Sequence, residues 1–381
     1  MNIPSSKASL VGKELKNIKS VLTSGKLSAG FYTARCTRLL EKLHNAKKIF
    51  LTTSGTHALE MASHLVGLEP GDEVVLPAFT FVSTANVFAT RLIRPVFVDI
   101  RPDTLNIDER IIERALSSRT KAIVPVHYAG VGAEMDAIRR IAQKHRLYVI
   151  EDAAQGWNAT YKNKFLGTLG DLGFYSFNHD KNFTCGQGGA LVINNKKFFT
   201  RSEIVIDNGT NRAQFLRGEV DHYEWIDIGS RYQISEILAA FLYGQLEKHQ
   251  QITEKRKKLY DYYYKNLVPL AKKECLRLPV IPRSCKSNKH IFYVLMENNK
   301  SREALRKDLN QHGIQATFHF VSLHSSPMGR KLGYRPGDFP ITESVCDTLL
   351  RLPMYYTLTN KLQDHVIDRI YRYFDEKRPR N

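Results

Sequence analysis

The spacing of short apolar runs constrains this chain more than any other feature. Glu73-Val74-Val75-Leu76, Pro95-Val96-Phe97-Val98-Asp99, Lys121-Ala122-Ile123-Val124-Pro125-Val126 and Leu147-Tyr148-Val149-Ile150 follow one another at intervals that leave room for a helix. An amphipathic stretch around Met135–His145 fills one of those intervals. Buried strands separated by amphipathic helices predict an α/β fold with a parallel or mostly parallel sheet. Two further strands are expected over 173–177 and 190–194. Residues 1–50 read as helical, with Leu15, Ile18 and Leu22 recurring at three- and four-residue intervals to give one buried face.

Beyond about residue 240 the texture changes. A polar helix rich in Lys, Gln and Tyr is expected over roughly 236–267, then the connection Leu278-Pro279-Val280-Ile281-Pro282-Arg283. A smaller α+β unit follows, with a strand over 290–295 and a helix over 302–312 closed by Gly313. A chain of 381 residues, 43% hydrophobic, suits two packed domains. The expected division is 1–240, with its helical leading segment, and 241–381, comprising the connecting helix and a small C-terminal domain. No apolar run is long enough to span a membrane, and Met1-Asn2-Ile3-Pro4-Ser5-Ser6 lacks the apolar core of a signal peptide, so a cytoplasmic protein is expected.

Five cysteines, Cys36, Cys185, Cys275, Cys285 and Cys346, include no C-x-x-C pair and imply neither a disulfide framework nor a zinc site. Cys185 reads as a small space-filler. The formal net charge of +18 would suit nucleic acid, a membrane surface or an anionic small substrate. The basic residues are dispersed, in groups no longer than Lys255-Arg256-Lys257-Lys258. A lysine-rich solvated surface accounts for them, and no nucleic-acid partner is expected.

Three segments place polar groups where ligands gather, at the carboxyl ends of strands. Strand 147–150 runs into Glu151-Asp152-Ala153-Ala154-Gln155, where Asp152 is either a site carboxylate or a helix cap. Lys181 stands between the aromatic run Tyr175-Ser176-Phe177 and the turn Gly186-Gln187-Gly188-Gly189; a solvated surface charge is the alternative. Thr52-Thr53-Ser54-Gly55-Thr56 opens a helix whose free N–H groups suit phosphate, or simply an ordinary capped helix.

Together these segments resemble the DegT/DnrJ/EryC1/StrS sugar-nucleotide aminotransferases of PLP fold type I. The resemblance runs in order through Ser54-Gly55-Thr56, Pro77-Ala78-Phe79-Thr80-Phe81-Val82-Ser83-Thr84, Val96-Phe97-Val98-Asp99-Ile100 and Glu151-Asp152-Ala153-Ala154-Gln155. It continues through Lys181-Asn182, Gly186-Gln187-Gly188-Gly189, Phe318-His319-Phe320-Val321-Ser322-Leu323-His324 and Arg351-Leu352-Pro353-Met354-Tyr355-Tyr356. It implies a mostly parallel seven-stranded sheet with a smaller C-terminal α+β domain, and pyridoxal 5′-phosphate (PLP) as cofactor.

The resemblance also implies roles. Lys181 is similar to the lysine that carries the cofactor as a Schiff base and shuttles the proton. Asp152 matches the acid on the pyridinium nitrogen, Gln155 a residue near the phenolic oxygen, and Phe81 the ring-stacking aromatic. Gly55, Thr56 and Ser176 fit the phosphate cup. His319 and His324 fall in a segment near the substrate side, where core packing accounts for each equally well. Asn178, Gln187 and Arg231 depart from the histidine, acid and asparagine that many members carry. Arg231 is the candidate for a residue given to the neighbouring subunit's cofactor phosphate, in an expected homodimer.

Within the family the chain is most similar to members that form dTDP-4-amino-4,6-dideoxygalactose. The markers are Arg101-Pro102-Asp103-Thr104-Leu105-Asn106-Ile107-Asp108 and Asn208-Gly209-Thr210-Asn211-Arg212-Ala213-Gln214-Phe215. The implied substrates are L-glutamate and a dTDP-4-keto-6-deoxy sugar. A related sugar 3-dehydratase would carry histidine where Lys181 stands. A regulator of the MocR type would need a helix-turn-helix module ahead of the family match, which begins within the first few dozen residues.

Overall fold

The computed structural model describes residues 2–28 and 30–376. Its centre is a sheet of seven strands. In chain order they are β1 (Ile49–Thr52), β2 (Glu73–Pro77), β3 (Arg94–Val98), β4 (Thr120–Ile123) and β5 (Tyr148–Asp152), then, after a hairpin of β6 (Thr160–Tyr161) and β7 (Lys164–Phe165), β8 (Leu172–Ser176) and β9 (Gly189–Ile193). The spatial order is β1-β9-β8-β5-β4-β2-β3. Only β9 runs against the others, pairing antiparallel with both β1 and β8.

Strand alternation gives the sheet two cores. Val75, Ile123, Val149 and Val192 face the helices Phe31–His44, Met135–His145 and Glu236–Leu246. Their neighbours Val74, Ala122, Ile150 and Leu191 face Gly55–Leu65 and Val82–Ala89. All five residues of β2 and of β9 are buried, as a sheet covered on both sides requires. The carboxyl ends of β1, β2, β5 and β8 therefore open at one edge, between the helices that follow them.

A third core lies in the C-terminal part, where β11 (Phe292–Leu295) pairs antiparallel with β12 (Leu349–Leu352) under the helices His249–Lys272, Asn299–Gln311 and Asn360–Glu376. The short strand β10 (Cys285–Lys286) joins the β6–β7 hairpin. Ile3, fully buried, bonds through its backbone to Gly313 and Gln315, so the start of the chain is tied into this C-terminal unit.

Two expectations are corrected. The single helix over 236–267 is two helices, Glu236–Leu246 and His249–Lys272, parted at Glu247-Lys248. The first is nearly all apolar and sits in the sheet's core, whereas the second is polar with a tyrosine and leucine stripe on the third core. The break lets each half face its own core. In the helix Glu14–Ser24 the buried residues are Glu14, Asn17 and Val21, while Leu15 and Leu22 are 68% and 58% exposed. Polar partners decide this: Glu14 accepts from the backbone of Val11 and Gly12 and from Gln245, and Asn17 donates to the Ala240 carbonyl. Gly244, against Glu14, allows the two helices to approach closely.

Candidate functional site

Asp152 ends β5 and its carboxylate is buried. Oδ2 accepts from Thr84 Oγ1 at 2.8 Å, and Oδ1 from the Ala154 N–H at 3.1 Å. Thr84 is itself held by Thr80 Oγ1 at 3.0 Å. No cation pairs with Asp152 among the described residues. Desolvation raises its pKa, against the two hydrogen bonds and the more distant charges of Lys181 and His127. Glu151, one residue earlier, points to the opposite face of the strand. It accepts from His127 Nε2 at 2.9 Å and from the N–H groups of Gly167, Leu169 and Gly170, which fixes the turn into β8. Two adjacent acids thus have separate duties: Glu151 is saturated, and Asp152 keeps acceptor capacity and an unneutralised charge.

Lys181 follows β8 in a turn closed by its own N–H on the Asn178 carbonyl at 3.0 Å. Its side chain is half-buried and lines a small cavity with Gln155, Ser176 and His290. Burial pulls the ammonium pKa down, partly offset by Asp180 and Asp152 and reinforced by Arg351. A desolvated lysine is more often neutral and so more nucleophilic. The glycine turn after it returns the chain to β9. A Cβ on Gly189 would lie 2.4 Å from the Ser54 carbonyl, so only glycine lets β9 start against the β1 turn. Cys185 fills this turn as a buried thiol, its pKa pushed up to about 12 by burial.

Across the same edge, Ser54 caps the helix Gly55–Leu65, accepting from His57 N–H at 3.0 Å. The preceding N–H groups, on Gly55 and Thr56, have no protein partner among the described residues and stand at the positive end of the helix dipole. The Cβ position of Gly55 is 3.1 Å from Ser176 Cβ, so Gly55, Thr56 and Ser176 form one cluster. Gln155 accepts the Ala129 N–H at 2.7 Å through Oε1, which leaves Nε2 as its donor end. Phe81 caps the next helix, 57% exposed as a residue, its ring centroid 6.3 Å from that of Phe320.

The remaining expected residues divide. His319 joins the cluster: its Nδ1 meets the Tyr128 hydroxyl at 2.7 Å, its ring stacks on Phe320, and burial, with Arg351 and Lys181 nearby, holds its pKa well below the usual imidazole value. His324 does not share these partners. It is fully buried against Phe339, bonded to Glu343 at 2.7 Å, in a packing arrangement. Arg231 is exposed on a loop beside Asp207, with no contact to the Lys181 cavity in its own chain.

Sequence reasoning missed His290 and Arg351. His290 Nδ1 meets Asn182 Oδ1 at 2.9 Å on the cavity wall, and its pKa is driven well down by burial and by Lys181. Arg351 carries the only charge in the β12 sequence Leu-Leu-Arg-Leu, a signal that was legible in the strand. The whole arrangement offers a nucleophilic amine, a buried carboxylate awaiting a cation, an aromatic platform and a cluster of anion-binding donors. It fits a phosphorylated, basic aromatic aldehyde.

Comparison with known proteins gives concordant results. The model of the DegT/DnrJ/EryC1/StrS aminotransferase family matches residues 9–371. The spore coat polysaccharide biosynthesis protein SpsC of Bacillus subtilis is 31% identical over 95% of this chain and 94% of its own. Among solved structures, the aminotransferase TlmJ from Streptoalloteichus hindustanus superposes with a TM-score of 0.90 at 26% identity, over 99% of this chain and 100% of that one. The PLP form of the sugar aminotransferase described as Spr1654, from Streptococcus pneumoniae, shares the fold, with a TM-score of 0.89 at 23% identity over 97% of each chain.

Proposed function

The chain belongs to the DegT/DnrJ/EryC1/StrS aminotransferase family, whose cofactor is pyridoxal 5′-phosphate, and from that premise we propose that it moves an amino group from L-glutamate to C4 of a dTDP-4-keto-6-deoxy-hexose. The observation that carries the reading is a desolvated Lys181 within electrostatic reach of a buried Asp152 that no cation neutralises among the described residues, in a site whose Gly55 packs against Ser176. When bound, the cofactor supplies an electron sink for ionising a C–H bond beside nitrogen. Lys181 would anchor it and carry the proton between the substrate carbon and the cofactor. Asp152 would keep the ring nitrogen protonated through a charge-assisted hydrogen bond. Gln155 Nε2 would serve the phenolic oxygen, Phe81 the ring, and Gly55, Thr56 and Ser176 the phosphate.

The dTDP sugar is supported by the subgroup markers at 101–108 and 208–215 and by the basic surface, which suits an anionic substrate. The similarity to SpsC, a spore coat polysaccharide biosynthesis protein, fits a product destined for a surface polysaccharide. A homodimer is supported by what the single chain leaves bare: Leu15, Leu22 and Phe31, with Trp225, Ile226 and Ile228 close in sequence to Arg231, are all half or more exposed. Arg231 then serves the partner's phosphate.

The test is direct. Purified holoenzyme should lose its yellow colour with L-glutamate. It should then aminate dTDP-4-keto-6-deoxyglucose in preference to UDP- and GDP-linked keto sugars, with the product read by mass spectrometry. Amination of a UDP or GDP sugar alone would replace the substrate assignment, and no amination of any keto sugar would remove the reading.

A further inference from the structure

His290 is a buried titratable group that the reaction outlined above leaves without a task. It stands two residues before β11, is 3% exposed, and lines the same cavity as Lys181, Gln155 and Ser176. Its backbone is clasped from two sides. Arg256, buried on the helix His249–Lys272 with no acid bonded to it among the described residues, donates through Nε to the Lys289 carbonyl at 3.2 Å and through a second nitrogen to the His290 carbonyl. Asn288 donates to the carbonyls of Gln155 and Trp157, both at 2.8 Å. Between them Lys289 adopts a left-handed φ of 55°, a costly conformation for a residue with a Cβ. Such strain persists only where the surroundings over-determine it.

The hydrogen bonds assign the ring's proton. Asn182, the residue after Lys181, donates through Nδ2 to the Asn288 carbonyl at 3.2 Å, so its Oδ1 is an acceptor. That oxygen meets His290 Nδ1 at 2.9 Å, which puts the imidazole proton on Nδ1. Nε2 is then a lone-pair nitrogen. It has no hydrogen-bond partner among the described residues, yet it keeps accessible surface, unlike Nε2 of the equally buried His44. A second proton on this ring is disfavoured. Burial first, then the charges of Lys181, Arg256 and Arg351, with His319 adding to them, hold its pKa well below the ordinary imidazole range. His290 is therefore a neutral acceptor beside a reactive amine.

We propose that His290 Nε2 accepts a hydrogen bond from the ε-amine of Lys181 and so positions it for proton transfer, with Asn182 fixing the tautomer; the assignment rests on the aminotransferase reading above. An amine must aim its lone pair at the carbon whose proton it takes. Bonding one of its N–H groups to a fixed acceptor removes its freedom to rotate. A neutral acceptor suits this better than a carboxylate, which would hold the ammonium as an ion pair and resist the return of its proton to carbon. Asp180, the nearest acid in sequence, acts on Lys181 by charge but is not bonded to it among the described residues. His290 keeps its own proton on Nδ1, engaged by Asn182. It acts through Lys181 and is a positioning residue.

The experiment uses His290→Leu, His290→Gln and Asn182→Ala holoenzymes. Stopped-flow absorbance follows the half-reaction with L-glutamate and with its α-deuterated form. Misplacing the amine should slow the limiting rate constant about 100-fold in His290→Leu and raise the deuterium effect, while the apparent affinity for glutamate stays within about threefold. His290→Gln, whose amide oxygen can stand in for Nε2, should recover about tenfold of the loss, and Asn182→Ala, which frees the tautomer, should lose about tenfold. Covalent capture of the cofactor by the cofactor-free proteins reads the amine's own titration. Its midpoint should move to lower pH in His290→Leu, because an acceptor on the ammonium is lost, and move back in His290→Gln. If His290→Leu does not fold, the rate and midpoint of Asn182→Ala decide. A limiting rate constant in His290→Leu within about threefold of wild type overturns the assignment. So does a loss that falls on the affinities for cofactor and glutamate while the deuterium effect and the midpoint stay put, the mark of a merely structural role. A wild-type enzyme unreactive toward every amino acid would instead remove the parent reading.

Discussion

Asp152→Asn separates charge from shape at the centre of the site. The carboxylate has two protein donors, Thr84 Oγ1 at 2.8 Å and Ala154 N–H at 3.1 Å. An asparagine Oδ1 can keep the Ala154 contact. Its Nδ2 would face Thr84, whose hydroxyl can turn to accept instead of donate. The fold therefore keeps its hydrogen bonds. Removing the charge should even help the cofactor-free protein. The folded-state pKa of Asp152 is raised by desolvation, so the folded form binds its proton more tightly than the unfolded chain, whose carboxyl titrates near ~3.9. Its stability contribution is present in acid and lost as pH rises through the folded value. The cofactor-free Asp152→Asn protein should accordingly melt at or above the wild-type temperature near neutral pH, the difference closing as pH falls toward 4. Catalysis should move the other way. Loss of one preorganised electrostatic partner costs roughly two to three decades in turnover. Differential scanning fluorimetry across pH and steady-state amino transfer on the reconstituted variant measure both. Turnover within about threefold of wild type, with cofactor bound, would take the ring-nitrogen role from Asp152. A lower melting temperature near neutral pH would mean the buried carboxylate is stabilising on its own.

Lys181→Ala should abolish turnover, and borohydride reduction followed by peptide mapping should tag Lys181 in the wild type and nothing in the variant; a tag on another lysine would contradict the assignment. Because burial lowers the Lys181 pKa, its amine is free at lower pH than an ordinary lysine's. Covalent cofactor capture by the cofactor-free protein should then rise with pH to a plateau whose midpoint lies below ~10.4, and Asp180→Asn should move that midpoint lower still. Glu151→Gln leaves buried N–H donors without acceptors around 167–170 and should cost about 3–5 kcal/mol in urea unfolding, a loss that a merely peripheral acid would not show. Light scattering on the holoenzyme should give about twice the 43.6 kDa subunit mass, and a monomer with full activity would exclude the shared site proposed for Arg231.

The sheet was legible because each strand is buried on both faces, and a short unbroken apolar run with a helix after it has few other uses. The run Glu73-Val74-Val75-Leu76 and its three companions became β2 to β5 within three residues at every end. The leading helix was misread for the converse reason. Leu15, Ile18 and Leu22 do recur at helical spacing, but spacing only identifies a stripe; it does not say what the stripe meets. In this chain the side facing the core is carried by Glu14 and Asn17, satisfied by Gln245 and by the carbonyl of Ala240, more than two hundred residues away. A polar residue with a distant partner is invisible to periodicity.

The same distinction divides the site. Asp152, Lys181 and Gly55 sit where strands end, and strand ends can be found from local sequence. His290 lines the cavity from the C-terminal unit and Arg351 acts on it electrostatically, through pairings such as Tyr293 with Arg351 that no local pattern announces. Yet alternation explains both halves once the strands are known. It sends Glu151 to a closed ring of hydrogen bonds and Asp152 to the opposite face, against Thr84. It likewise sends Leu350 and Leu352 to a core and Arg351 away from it. The residue that breaks a strand's apolar run without a partner of its own is the one whose partner is missing from the chain. By that criterion Asp152 awaits a cation, within electrostatic reach of the half-buried Lys181.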